Sequence, residues 1–308
     1  MPTKHFVCSL GWVAALLLSL AIYGTSSTDD TKPKTGEKTK ADLDKAKADK
    51  DAEKAEKNKE KVEANKAKFD LDRNTRLKDA GVVFNKNVDT SKKFIVSEFD
   101  HSINRIKLAP GLTAAARKDK MDDWTKAKKL FEESNKFPDD DEFAELELKY
   151  YVSVNKAFMP IAAIINQNIE LGNQSKNTKM AEEGMELKSK LEKQMLGTNN
   201  FNANSKWHGT LLRGKDTIPY HLNIGRKTES GTFKGHVEDN PGIAGNWAYD
   251  VEGQTSGLGV NFALTKSVRG KFQAVQVLGV VSGDRLIAEV SQTTGGKVTK
   301  GLIVLHRR

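Results

Sequence analysis

Apolar and polar positions follow three different patterns along the chain. The first is one unbroken apolar run, Phe6–Tyr23, which carries no charge and follows Lys4. The second is a 3/4 rhythm between Phe69 and Gly197, the spacing that places side chains on one face of a helix. The third, from Lys206 to Arg308, is strict alternation, which predicts half-buried strands. A lysine-rich tract without an apolar stripe lies between the first two.

In the helical region, Leu77, Phe84, Val88, Ile95 and Phe99 mark one face, continued by Ser102 and Ile106. Pro110-Gly111 breaks the chain, and Thr113 is placed to cap a second helix marked by Met121, Trp124, Ala127 and Phe131. Pro138 ends it. Asp139 to Glu142 supply an acidic start for a third helix, which the helix dipole favours. That helix carries Phe143, Leu146, Tyr150, Val154, Phe158, Ile161 and Ile165, with Pro160 inside. A fourth, near 177–196, shows Met180, Leu187, Leu191 and Met195. Short connections predict an antiparallel helical bundle, with an extended coiled-coil hairpin as the alternative.

Eight strands are expected after the Asn-rich linker 198–205: Lys206–Arg213, Thr217–Arg226, Thr232–Glu238, Asn246–Glu252, Leu258–Thr265, Lys271–Val281, Arg285–Ser291 and Val298–His306. Ile218, Tyr220, Leu222 and Ile224 share one face, as do Phe233 and Val237, then Trp247, Tyr249 and Val251, then Leu258, Val260, Phe262 and Leu264. Short turns predict an antiparallel meander β-barrel. The fold class is therefore α+β multidomain. Its expected divisions are 1–24 signal or anchor, 25–68 spacer, 69–197 helical domain, 198–205 linker and 206–308 barrel.

Trp207-x-Gly209, Gly231-x-Phe233-x-Gly235 and the Trp247-to-Gly253 spacing sit within this meander. In layout the segment from Lys206 to Arg308 resembles the small up-and-down barrels of the lipocalin and avidin group. That resemblance implies a ligand inside the barrel. The expected lining is Tyr220, Phe233, Trp247, Tyr249 and Phe262. Almost every expected inward residue is apolar, so an apolar ligand or a simply filled interior is the expectation.

The apolar run, with a basic start and the small polar exit Gly24–Thr28, reads as an export signal. Cleavage and retention as an anchor both fit, because 18 residues lie near the lower limit for a spanning helix. Lys4 would stay inside and the body outside. Cys8 is the single cysteine, so an exported body has no disulfides and no thiolate zinc site. The net charge of +9 allows contact with an anionic membrane or envelope polymer. Another envelope protein is a further candidate partner, and export removes nucleic acid from the expected ones. The sequence leaves the oligomeric state open. In the tract from Thr31 to Lys68, acids interleave with lysines, with Glu53 and Lys57 four apart. The tract is either a solvated helix or a disordered tether, read as a spacer rather than a basic patch.

No catalytic constellation emerges, and no cofactor is expected. Asp139–Glu142 lack the ligand spacing and glycine of a calcium loop, which favours helix capping. Gly257-x-Gly259 and Gly295-Gly296 lack a strand–loop–helix setting for phosphate. One metal candidate is His221 with His236. A tight hairpin around Lys227–Ser230 would pair Ile224 with Phe233 and set the two imidazoles opposite each other, with Cβ atoms about 5 Å apart. Two ligands make an incomplete site. The expected function is an exported, envelope-associated, non-enzymatic binding or scaffold protein; the alternative is a carrier of a small apolar ligand or lipid.

Overall fold

The computed structural model describes residues 40–239, 245–271, 273–294 and 296–308, with side chains from 50 onward except 51. The run 6–23, and with it the expectations of an export signal and an anchor, lies outside these residues. Among the described residues no helix is long and apolar enough to cross a membrane. Among the described residues four α-helices precede eight strands: α1 (Lys40–Leu108), α2 (Ala114–Ser134), α3 (Ala144–Gln174) and α4 (Thr178–Met195). The strands are β1 (Lys206–Arg213), β2 (Asp216–Lys227), β3 (Thr232–Glu238), β4 (Ala248–Ser256), β5 (Gly259–Arg269), β6 (Ala274–Ser282), β7 (Arg285–Thr294) and β8 (Lys297–Arg307). The chain divides into two compact units, Met1–Gly81 and Val82–Arg308.

In the first unit, the lysine-rich tract is helical from Lys40. Its side chains from 52 to 68 are all exposed, including Val62 at 67%. No packing face exists there, so helix propensity and pairs such as Glu53–Lys57 (2.6 Å) support the helix.

In the second unit, Phe84, Ile95, Phe99 and Ile106 of α1 are buried, as the 3/4 rhythm requires. Phe99 lies 5.9 Å from Trp124 and 6.0 Å from Phe131 of α2, centroid to centroid. Thr113 caps α2, its side chain accepting from the Ala116 amide. The seven apolar marks from Phe143 to Ile165 are all buried. In α4 the four expected marks are only half-buried, and Ala181 and Gly184 take the buried places. The reason is close helix packing. A Cβ on Gly172 would lie 2.7 Å from the Ala181 amide nitrogen, and one on Gly184 2.7 Å from Ile169. Small residues let the α3 and α4 backbones meet.

The eight strands form a closed antiparallel barrel in sequence order, β1 pairing with β8. Of the residues expected on the inner face, all but Leu258 form its core, with Ile218 and Trp247 partly exposed at one end. Leu258 lies in the β4–β5 turn, where its amide donates to Asn155 Oδ1 of α3 (2.8 Å). The β2–β3 register differs from a tight hairpin. Its turn spans Thr228–Thr232, closed by the Thr228 amide donating to the Thr232 carbonyl (2.8 Å). Gly231 sits there at φ +88°, where a Cβ would also collide with the Thr255 carbonyl. A bulge follows between Ile224 and Arg226. Together they offset the pairing by two residues, so faces are kept but partners change. Ile224 is opposite Gly235, and His221 is opposite Glu238.

One barrel end is closed and the other open. At the closed end the 198–205 segment acts as a strap. Phe201 is fully buried against Trp207 (5.7 Å) and Phe233 (4.8 Å). Asn199 holds the strap, its Nδ2 donating to the Gly257 carbonyl (2.7 Å) and its Oδ1 accepting from the Phe201 amide (2.9 Å). The barrel wall docks on α3. Ile287 and Val304 are buried against Ala144 and Leu148. Beside them Arg285 reaches Asp139 (3.3 Å), Asp141 (3.4 Å) and Glu147 (3.2 Å). Asp140 caps the turn Asp141–Phe143. The acidic run 139–142 thus combines capping with a charge clamp on the barrel.

Candidate functional site

The open end holds a cavity of about 340 Å³. The ends of β1, β2, β4, β5 and β7 and the β5–β6 connection position its walls. Alternation aims Tyr220 and Tyr249 inward, and Trp247, just ahead of β4, packs against both. Its ring lies 5.4 Å from Tyr220 and 5.8 Å from Tyr249, the latter pair stacked at 28°. The Tyr249 hydroxyl donates to the Lys271 carbonyl (2.7 Å), which fixes that ring as wall. Burial pushes the Tyr220 hydroxyl well above the ordinary phenol range and keeps it neutral.

Of the five aromatic residues expected to line a ligand site, Tyr220, Trp247 and Tyr249 line this cavity. Phe233 and Phe262 lie elsewhere. Their rings are 6.0 Å apart, and Phe233 meets Phe201 in the filled end. One end of the interior is therefore packed core and the other holds the cavity.

The polar part of the cavity departs from the expected apolar interior. Arg213 Nη2 donates to Gln292 Oε1 (2.7 Å), and Gln292 Nε2 donates to Gln273 Oε1 (2.7 Å) and Thr294 Oγ1 (3.3 Å). Gln292 is buried at 8% exposure. The sequence contains a signal for these residues. Arg213 continues the parity of Trp207 and Leu211, and Gln292 that of Val290. Inward parity at a strand's last residues marks a barrel rim.

The histidine pair expected as a metal candidate is replaced. His221 meets His208 across β1–β2, Nδ1 to Nδ1 at 2.6 Å, whereas His236 lies opposite Asn223 and approaches Asp250 (3.3 Å). The longer turn and the bulge are the cause. Burial is the first factor that lowers both the His208 and the His221 pKa; Arg308 is the next for His208. Among the described residues no group of three or more His, Cys, Asp or Glu is placed to hold a metal ion. A second hollow of about 250 Å³, between α4 and the strap, is lined by Glu192, Lys193, Leu196 and Gly257 among others. It has neither aromatic walls nor a convergent hydrogen-bond network.

Comparisons with known proteins add only a likeness in fold. No protein family and no curated protein matches the sequence. Among solved structures, an apo form of shwanavidin is 17% identical, with a TM-score of 0.28, over 35% of this chain and 97% of that one. A point variant of shwanavidin in complex with biotin is 18% identical at the same TM-score, over 36% of this chain and all of that one.

Proposed function

We propose that this protein is a non-enzymatic binding module whose barrel takes up a small ligand through its open end. The observation that carries this reading is the aromatic-walled cavity of about 340 Å³ beside the fixed Arg213–Gln292–Gln273 network. Small-molecule sites have this composition, apolar walls with a few oriented polar groups, and volumes of roughly 300–1,000 Å³. The closed end limits the ligand to the outer half of the barrel. Ligand size is therefore set by Trp247, Tyr220 and Tyr249 rather than by barrel length. The Phe6–Tyr23 run supports placing this binding outside the cytoplasm, with the helical tract as a spacer from an envelope surface.

A second reading, a scaffold in which the barrel is one structural block, is favoured by the docking of α3 through Arg285. One experiment separates the two. The full chain, purified without organic solvent, is extracted and the extract examined by mass spectrometry. The stripped protein is then titrated with biotin and with naphthalene derivatives while tryptophan fluorescence is recorded. A binding module retains a small molecule or binds a probe saturably, and Trp247→Ala weakens that binding. An empty extract together with no saturable response would leave the scaffold.

A further inference from the structure

We propose that the ligand of this cavity is a small planar carboxylate, with Arg213 as its counter-charge. This rests on the cavity being a binding site and adds the chemical class. The described residues lining the cavity include two cations, Arg213 and Lys271, and no acid. Arg213 is half-buried, and its partner is the neutral amide of Gln292. Its Nε is buried without any hydrogen-bond acceptor, as are those of Arg269 and Arg285, so the missing counter-charge rather than the bare Nε sets Arg213 apart.

Three other barrel arginines are arranged differently. Arg285 has Asp139, Asp141 and Glu147, Arg269 has Asp239, and Arg307 has Asp284. Asp216 is the cross-strand neighbour of Arg213 at the β1–β2 turn, but among the described residues no carboxylate comes within ion-pair distance of its guanidinium. A guanidinium withdrawn from water without a counter-charge is costly, and one held in place by a side-chain network has also lost the freedom to swing out. A ligand carboxylate would supply the missing charge and accept from the guanidinium protons that Gln292 leaves free. Gln292 acts as a positioning residue, because its amide is fixed in turn by Gln273 and Thr294.

The apolar body of the ligand follows from the walls. Trp247 and Tyr249 present nearly parallel rings, and the Tyr249 hydroxyl is already committed to the Lys271 carbonyl. These walls offer ring surface and few hydrogen bonds, which suits a flat apolar group. The cavity volume suits one or two fused rings.

The test uses the full chain and a matched probe pair, 2-naphthoate and its neutral isostere 2-naphthamide, titrated by calorimetry and tryptophan fluorescence. The expected result is naphthoate binding at least tenfold tighter than naphthamide. Arg213→Gln should bring naphthoate down to about the level of the amide. Arg213→Lys, which keeps the charge but not the fork, should fall between. Equal affinities for the two probes in the parent protein would overturn the carboxylate class while leaving the binding reading intact, and that comparison needs no variant. Undiminished naphthoate binding by Arg213→Gln would likewise overturn the role of Arg213. Binding of neither probe would overturn the carboxylate class, and the extract measurement then decides the binding reading separately.

Discussion

At the scale of single residues, two tryptophans of equal size carry different loads. Trp207 is fully buried, its Nε1 donating to Ser205 Oγ (3.0 Å) and its ring packed on Phe201. Trp247 is half-buried and has the cavity on one side. Truncating a buried aromatic costs about 3–5 kcal/mol, through lost burial and the void left behind. Trp207→Ala should cost that much in denaturant unfolding. Trp247→Ala should cost about 1–2 kcal/mol, since part of its surface already faces the cavity and solvent. Equal losses would mean that the open end is packed as tightly as the closed one.

Glu147 makes a second residue-scale prediction, this one about pH. Burial pushes its carboxyl up to about 7, and the attraction of Arg285 only partly offsets this. Its Oε2 lies 3.2 Å from Arg285 Nη1 but makes no aligned hydrogen bond. The folded value lies above the ordinary 4.5, so near neutrality the folded state holds a proton that the unfolded chain has released. The stabilisation linked to that proton is full below pH 4.5 and is lost as pH rises through about 7. Glu147→Gln removes this loss. Urea unfolding at pH 8.5 should show the variant more stable than the parent, by up to about 3 kcal/mol at 1.36 kcal/mol per pKa unit. At pH 4.5 the difference should vanish. The His208–His221 pair has the opposite sign. Both values lie below 6.5, so their contribution is present above pH 6.5 and is lost as pH falls through the lowered values. Between about pH 4.5 and 7 the two contributions oppose each other, so the variant isolates the first: a Glu147→Gln protein whose pH dependence matches the parent's would contradict the Glu147 assignment.

At the scale of elements, the strap matters as much as any strand. A barrel cut at Lys206 lacks Phe201, leaving a ring-sized void against Trp207 and Phe233. It also bares Ile287 and Val304, which α3 covers. A 198–308 fragment should therefore be more stable than a 206–308 fragment by about 3–5 kcal/mol, the cost of deleting a buried phenylalanine. Phe201→Ala in the longer fragment should recover most of that difference. Indistinguishable midpoints for the two fragments would show that the strap is not a plug.

The same elements explain what the sequence could reveal. β1 and β3 were legible to the residue, because alternation such as Phe233-x-Gly235-x-Val237 is local and has one physical meaning. The helix faces through Phe158 and Ile165 were legible for the same reason. Phe201 was not, since an aromatic in an Asn-rich segment gains its role only from residues that fold beside it later. The partner of His221 was missed because a five-residue turn and a bulge changed the register while keeping the faces. Of the cavity, the aromatic walls were legible from parity. The Arg213–Gln292 network lay on that same parity, at strand ends where polar residues read as solvent-facing.

For the whole molecule, the division of the chain at Gly81 separates a tract without a packing face from a body with a core. The exposed side chains from 52 to 68 bury nothing, and ion pairs such as Glu53–Lys57 contribute only about 0.3–0.5 kcal/mol each. Helix formation in this tract is then almost uncoupled from folding of the second unit. Deleting 31–68 should leave the melting temperature of the body unchanged within error, while the circular dichroism loses the helical signal of 40–68. The deletion also tests what the tract is for. If its lysines hold the protein at an anionic surface, the shortened chain should dissociate from anionic vesicles at low salt where the parent stays bound. The parent should in turn dissociate as salt is raised, because contacts between exposed charges are screened within about 10 Å at 0.1 M. If the tract is a spacer only, both chains should bind such vesicles equally. A fall in the melting temperature would refute the uncoupling itself, because a tract whose side chains from 52 to 68 are all exposed has no burial through which to stabilise a core.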